Sequence, residues 1–186
     1  AKLGSALVRG FVKADIIPCA KHFPGHGNTL IDSHQDLPIE EESDLKRLNE
    51  IEFVPFKKAF RARLDLLMTA HIRFPKIDPK WPATFSEIFL KKILREDLGY
   101  RGLVISDDLD MKALAKHYAP EFIPVRALCA GVDILLYCNE PEKPPLALAA
   151  VKKALSEGSL IESEILGKIS RILDFKKAKL QSVEPP

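Results

Sequence analysis

Residues 102–108 read GLVISDD. An almost unbroken apolar run ends on two adjacent carboxylates, Asp107 and Asp108, and it is too short for a helix. Val104 and Ile105 are β-branched, which favours an extended backbone on a pleated surface. Runs that are apolar along their whole length suit the strands of a parallel sheet covered on both faces. Three further runs share the design: residues 16–20 (IIPCA), 64–70 (LDLLMTA) and 132–137 (VDILLY).

Helical periodicity fills the segments around them. Residues 1–15 read as the end of a helix with Leu7, Val8 and Phe11 on one face. After the first run, helices are predicted at 44–50 and 54–63, with Ser43 placed to cap the first and Pro55 in the first turn of the second. Residues 72–85 hold Pro75, Pro79 and Pro82 and cannot be helical. Ser86 then caps a helix whose Ile88, Ile93, Leu94 and Leu98 share a face, and Gly99 ends it. A helix over 121–130 is closed by Gly131, and helices at 145–157 and 160–178 finish the chain. Ser159 and Glu162 have the spacing of a capping box. Four strands alternating with helices predict one α/β unit over residues 1–180, with 181–186 as a tail. In parallel α/β folds, sites are built at the C-terminal ends of the strands. Lys21, His22, Asp32, His34, His71 and Asp107 all fall at or just after such an end.

The 28 basic and 26 acidic residues leave a net charge of +2, too even for a nucleic-acid partner. Lys57, Lys58, Arg61 and Arg63 read as a solvated helix face. No apolar run approaches the ~20 residues of a membrane span, and the first residues do not resemble a secretory signal. A cytoplasmic protein with no membrane partner is expected. Cys19, Cys129 and Cys138 are widely spaced and odd in number. They read as small buried residues of a reducing compartment, not as a disulfide frame or a zinc site.

The densest chemistry lies in residues 20–38, AKHFPGHGNTLIDSHQDLP, with three of the five histidines. His22 and His26 are four apart, but Pro24 and Gly25 between them exclude the helix that would bring both onto one metal. The loop is also too poor in carboxylates for a hard cation, and it lacks the G-x-x-x-x-G-K-[ST] phosphate cradle. No metal and no cofactor are expected. Asp32 and His34, two residues apart, share a side if the segment is extended. A carboxylate beside an imidazole favours the imidazolium and fixes the ring's tautomer, so the histidine can give a proton near neutral pH and take one back.

The motif KHFPGHGNTLIDSH, followed by TAHI, PATFS, GLVISDDLDMKA and AGVDILL, closely resembles glycoside hydrolase family 3, and within it the NagZ-type β-N-acetylglucosaminidases. The similarity spans about residues 5–175. The resemblance implies a (β/α)₈ TIM barrel and retaining hydrolysis of a terminal, non-reducing β-linked N-acetylglucosamine, from muropeptides in peptidoglycan recycling. By the same resemblance Asp107 is the nucleophile, His34 the acid/base and Asp32 the residue that tunes it. Lys21 and His22 bind the sugar's hydroxyls, and His71, at a strand end, is a further candidate for lining the site. A retaining glycosidase needs one group to attack the anomeric carbon and one proton carrier on the leaving oxygen. Side chains alternate along a strand, so only one of Asp107 and Asp108 points inward, and Asp108 is expected to be structural. His26 is expected to bond within its loop and Met111 to pack. Trp81 could offer a stacking face to sugar.

A TIM barrel has eight strands and about 250 residues. The four strands readable here correspond to its last four βα units, so the N-terminal half-barrel, which also grips the sugar, is the partner this chain lacks. Three rival readings stand beside it: a phosphorylase, of a different reaction class, since a histidine acid/base does not repel phosphate; a β-glucosidase of the same family; and an inactive fragment or non-catalytic binding module.

Overall fold

A computed structural model describes residues 1–26, 33 and 35–180. Four strands, β1 (Cys19–Phe23), β2 (Leu66–Thr69), β3 (Leu103–Asp108) and β4 (Ile134–Leu136), form one sheet in the order β1-β2-β3-β4. Every neighbouring pair is parallel. Parallel neighbours require a crossover, and helices supply it. Phe53–Arg61 lies between β1 and β2, Ile88–Asp97 between β2 and β3, and Phe122–Ala130 between β3 and β4. Lys2–Lys13 precedes the sheet, and Lys143–Ser156 and Glu162–Lys179 follow it. Sequential order with parallel pairing throughout is the wall of a (β/α) barrel. Among the described residues no helix is long and apolar enough to cross a membrane.

Period-two alternation divides the sheet into two unlike faces. Leu67, Thr69, Val104, Ser106 and Asp108 are buried, and Leu67 and Val104 join one core with Val8, Phe53, Phe56, Leu90, Leu94, Ile123 and Ala127 of the helices. On the opposite face Leu66, Met68, Ile105 and Asp107 are only partly buried. Within the described residues helices cover one face, and the other is partly exposed, as in one wall of a barrel. Cys19 and Cys138 are likewise exposed, not buried, and all three cysteines are free.

Several local expectations shift for identifiable reasons. β1 begins three residues later than the apolar run, and its pairing opens with the Leu66 amide donating to the Pro18 carbonyl. Ala20 pairs with Leu67 but Phe23 with Thr69, so β1 carries one extra residue between them. That irregularity falls at Lys21 and His22, and such bulges re-aim side chains beside sites. The Lys21–His22 and Phe23–Pro24 peptide bonds are cis. Asp44, not Ser43, caps the helix Leu45–Glu50, its carboxylate accepting from the Arg47 amide at 2.8 Å. Ser86 does bond the start of the next long helix, its Oγ accepting from the Phe89 amide at 3.2 Å. That helix is wound as a π-helix, with i→i+5 bonding and more residues per turn. Phe89, Leu90, Ile93 and Leu94 are buried, while Ile88 is exposed. Ser159 forms no capping box: its Oγ donates to the Ala154 carbonyl and closes the preceding helix.

Candidate active site

The C-terminal ends of β1, β2 and β3 bring three of the sequence-predicted residues close together. His22 is in β1, His71 follows β2 by two residues, and Asp107 is the penultimate residue of β3. The Nε2 of His22 stands 3.5 Å from Oδ2 of Asp107, with the two side chains 24% and 19% exposed. That is ion-pair reach for a protonated imidazole, at a spot still open to a ligand. The other carboxylate oxygen of Asp107, Oδ1, accepts from the Asp108 amide at 2.9 Å. One oxygen is thus held by backbone and the other faces the open side.

Asp108 has the opposite role. It is 7% exposed. Its Oδ1 accepts from the amides of Asp110 (3.1 Å) and Cys138 (3.2 Å), and its Oδ2 from the Asn139 side-chain amide at 2.7 Å. This carboxylate ties the end of β3 to the residues just after β4. A carboxylate occupied by three donors, on the helix-covered face, cannot reach a sugar.

His71 is also placed away from the open face. It is 1% exposed, and both ring nitrogens have partners inside the protein. Nε2 lies 3.0 Å from the Asp108 carbonyl and Nδ1 lies 2.8 Å from Thr84 Oγ1. Burial holds its pKa below the usual imidazole range, outweighing the Asp108 carbonyl and the Asp107 and Asp108 charges. His71, expected to line the substrate site, is buried here with both ring nitrogens occupied by protein groups.

Lys21 is exposed, and with His22 and His26 it borders an open cavity of about 780 Å³ between the helices Lys2–Lys13 and Phe53–Arg61. Asp107 does not border that cavity; His22 lies between the two, lining the hollow and standing 3.5 Å from Asp107. His26 bonds within its loop, Nε2 to Ser33 Oγ at 3.3 Å, and its ring meets His22 edge-on at 5.8 Å. Asp32 and His34 lie outside the described residues. Met111 is 7% exposed and packs. Trp81 offers no free stacking face: Phe122 stacks on it at 5.6 Å, and Lys80 and Arg126 sit over the ring at 4.8 and 5.1 Å. Among the described residues no three metal-ligating side chains converge.

Sequence reasoning assigned no role to Thr84 or Asn139. Thr84 sits in the PATFS motif, and its full burial beside His71 needed tertiary structure to become visible.

A sequentially ordered parallel sheet with helical crossovers is the architecture of a TIM-barrel domain. The comparisons make that class specific. Residues 1–175 match the family described as "Glycosyl hydrolase family 3 N terminal domain", and the chain belongs to glycoside hydrolase family 3. It is 40% identical over 149 residues to a protein named beta-hexosaminidase from Nitrosospira multiformis, covering 80% of this chain and 42% of that one. A beta-hexosaminidase from Thiobacillus denitrificans is 42% identical over 150 residues, covering 80% and 41%. Among solved structures, a family 3 β-N-acetylglucosaminidase from Paenibacillus sp. str. FPU-7 superposes with a TM-score of 0.94 at 37% identity, over 99% of this chain and 35% of that one. The chain spans about two-fifths of the length of these curated relatives.

Proposed function

We propose that this chain, completed by the remaining strands of its barrel, is a retaining β-N-acetylglucosaminidase. It removes a terminal, non-reducing β-linked N-acetylglucosamine from small muropeptides, in peptidoglycan recycling in the bacterial cytoplasm. The observation that carries the reading is the state of Asp107. It stands at a strand end on the open face, one oxygen fixed by the Asp108 amide and the other 3.5 Å from His22. A carboxylate so held is oriented for in-line attack before substrate arrives, which saves the entropy of positioning it.

In the first step Asp107 Oδ2 attacks the anomeric carbon as the bond to the leaving oxygen breaks. His34, with Asp32 beside it in sequence, gives that oxygen a proton. In the second step His34 takes a proton from water, which displaces Asp107 and restores the β-configuration. Lys21 and His22 hold the sugar's hydroxyls. The beta-hexosaminidase names of the relatives at about 40% identity support the substrate class.

The test is to follow the complete barrel acting on an aryl N-acetylglucosaminide and on a muropeptide by NMR, with and without phosphate. Free N-acetylglucosamine appearing first as the β-anomer in both conditions is expected. The α-anomer first would exclude retention, a sugar 1-phosphate would make the protein a phosphorylase, and turnover of glucosides alone would make it a β-glucosidase.

A further inference from the structure

His71 is a buried histidine that the reaction above does not use. It sits where three strand ends meet, beside the carboxylate that does the work. We propose that His71 is a positioning residue for Asp107, acting through the backbone of Asp108 as a neutral imidazole protonated on Nε2.

The chain of contacts is short. A carbonyl oxygen only accepts, so the 3.0 Å contact with the Asp108 carbonyl requires the proton on His71 Nε2. Thr84 Oγ1 lies 2.8 Å from Nδ1, 2.9 Å from Thr69 Oγ1 and 3.0 Å from the Ala70 carbonyl. With the ring neutral, the single hydroxyl proton of Thr84 is shared between Nδ1 and the Ala70 carbonyl, and Thr84 Oγ1 accepts from Thr69. All three side chains are essentially inaccessible to water, at 1%, 0% and 0% exposure. The ring's tautomer and plane are therefore set by the protein alone.

What His71 grips is the residue that grips the nucleophile. The amide of Asp108 donates to Asp107 Oδ1, and the carbonyl of Asp108 accepts from His71. The Asp108 carboxylate meanwhile fastens the same residue to the Cys138 amide and the Asn139 side chain beyond β4. Asp108 is pinned from β2 on one side and from β4 on the other. Rotation of its backbone, which would swing the amide off Oδ1 and release the carboxylate, is blocked from both directions. Removing the β2 tether leaves the fold's other contacts in place and lets Asp107 sample orientations in which Oδ2 no longer points into the open face. Misplacing a reacting group by an ångström costs on the order of 10²-fold in rate.

The inference rests on the glycosidase reading, and the experiment separates the two. The complete barrel is prepared as the natural sequence, as His71→Leu and as His71→Gln; glutamine can still donate from its amide to the Asp108 carbonyl. Steady-state kcat and KM on an aryl N-acetylglucosaminide, the pH profile and the thermal midpoint are measured for each. The expected result for His71→Leu is a kcat lower by about 10- to 100-fold with KM within about 3-fold of the natural enzyme. His71→Gln should recover most of kcat. Its acid and alkaline limbs should coincide with those of the natural enzyme, because His71 itself carries no proton in the reaction. Two outcomes overturn the positioning role while leaving the glycosidase reading intact. One is natural kcat in a folded His71→Leu; the other is equal loss in Leu and Gln variants of equal thermal midpoint. No turnover by the natural sequence overturns the glycosidase reading, and the role of His71 falls with it.

Discussion

Asp107 and Asp108 are adjacent in β3 yet lie on opposite faces of the sheet. Asp107 is partly open with Oδ2 directed at His22, and Asp108 is 7% exposed with its carboxylate taken up by three donors. Alternation along the strand leaves one carboxylate partly open and ties the other into the protein.

Stability should follow that division. Asp108→Ala removes the acceptor of two backbone amides and one side-chain amide. Leaving a buried donor unsatisfied costs about 1–3 kcal/mol, so a loss of about 2–5 kcal/mol is expected. Asp107→Asn should cost under about 1 kcal/mol, as surface changes usually do. Urea unfolding of the two variants checks this, and a larger loss for the Asp107 variant would reverse the assignment.

The acid/base pair is checked by leaving group. His34→Ala should slow the first step on natural substrates by about 10²–10⁴-fold. The loss should be much smaller on aryl glycosides whose phenolate departs without a proton. Asp32→Asn should show the same pattern more weakly. Single-turnover kinetics read it, and equal losses on both substrates would remove His34 from the role of proton donor.

His71 predicts a pH dependence of stability. Burial keeps it neutral in the fold, below its ordinary pKa of 6.5, whereas the unfolded chain protonates it normally. Below about that pH the unfolded state binds the extra proton, so this contribution is lost as pH falls and is constant above. His71→Gln abolishes it. The gap between natural and Gln thermal midpoints should narrow between pH 7.5 and 5, and a gap that widens would mean the ring is charged in the fold.

A second brace fixes the C-terminal helix to the sheet. The Asp133 side chain, 0% exposed, accepts from Arg95 at 2.8 Å, from Arg171 at 2.7 Å and from the Val104 amide at 2.9 Å. Breaking a buried pair costs about 3–5 kcal/mol, while a half-exposed partner contributes about 0–1 kcal/mol. Asp133→Ala should therefore destabilise strongly and Arg171→Ala, 48% exposed, only slightly. Thermal unfolding of both separates them.

Much of this was legible in the sequence because strand runs and helix stops are local signals. The alternation of apolar runs with helices gave four parallel strands, and SDD placed Asp107 at a strand end. What failed was non-local. Ile16 and Ile17 look like strand residues, but pairing starts at the Pro18 carbonyl, so Lys21 and His22 are strand residues and not loop residues. A histidine after a strand looks like a lining residue. Its burial depends on Thr84 and Asp108, 13 and 37 residues away. On the face predicted for 88–98, Ile93 and Leu94 are buried as expected, while Ile88 is exposed and Phe89 and Leu90 are buried. Asp32 and His34, the densest chemistry of the sequence, lie outside the described residues.

The central claim is that Asp107 is the covalent nucleophile. A fluorinated N-acetylglucosaminide that forms the glycosyl-enzyme quickly and loses it slowly should label a single peptide of the complete barrel. Fragmentation by mass spectrometry should place the sugar on Asp107, and Asp107→Asn should abolish labelling while His34→Ala does not. A sugar found on Asp108 or on any other side chain, or labelling that survives Asp107→Asn, would contradict it.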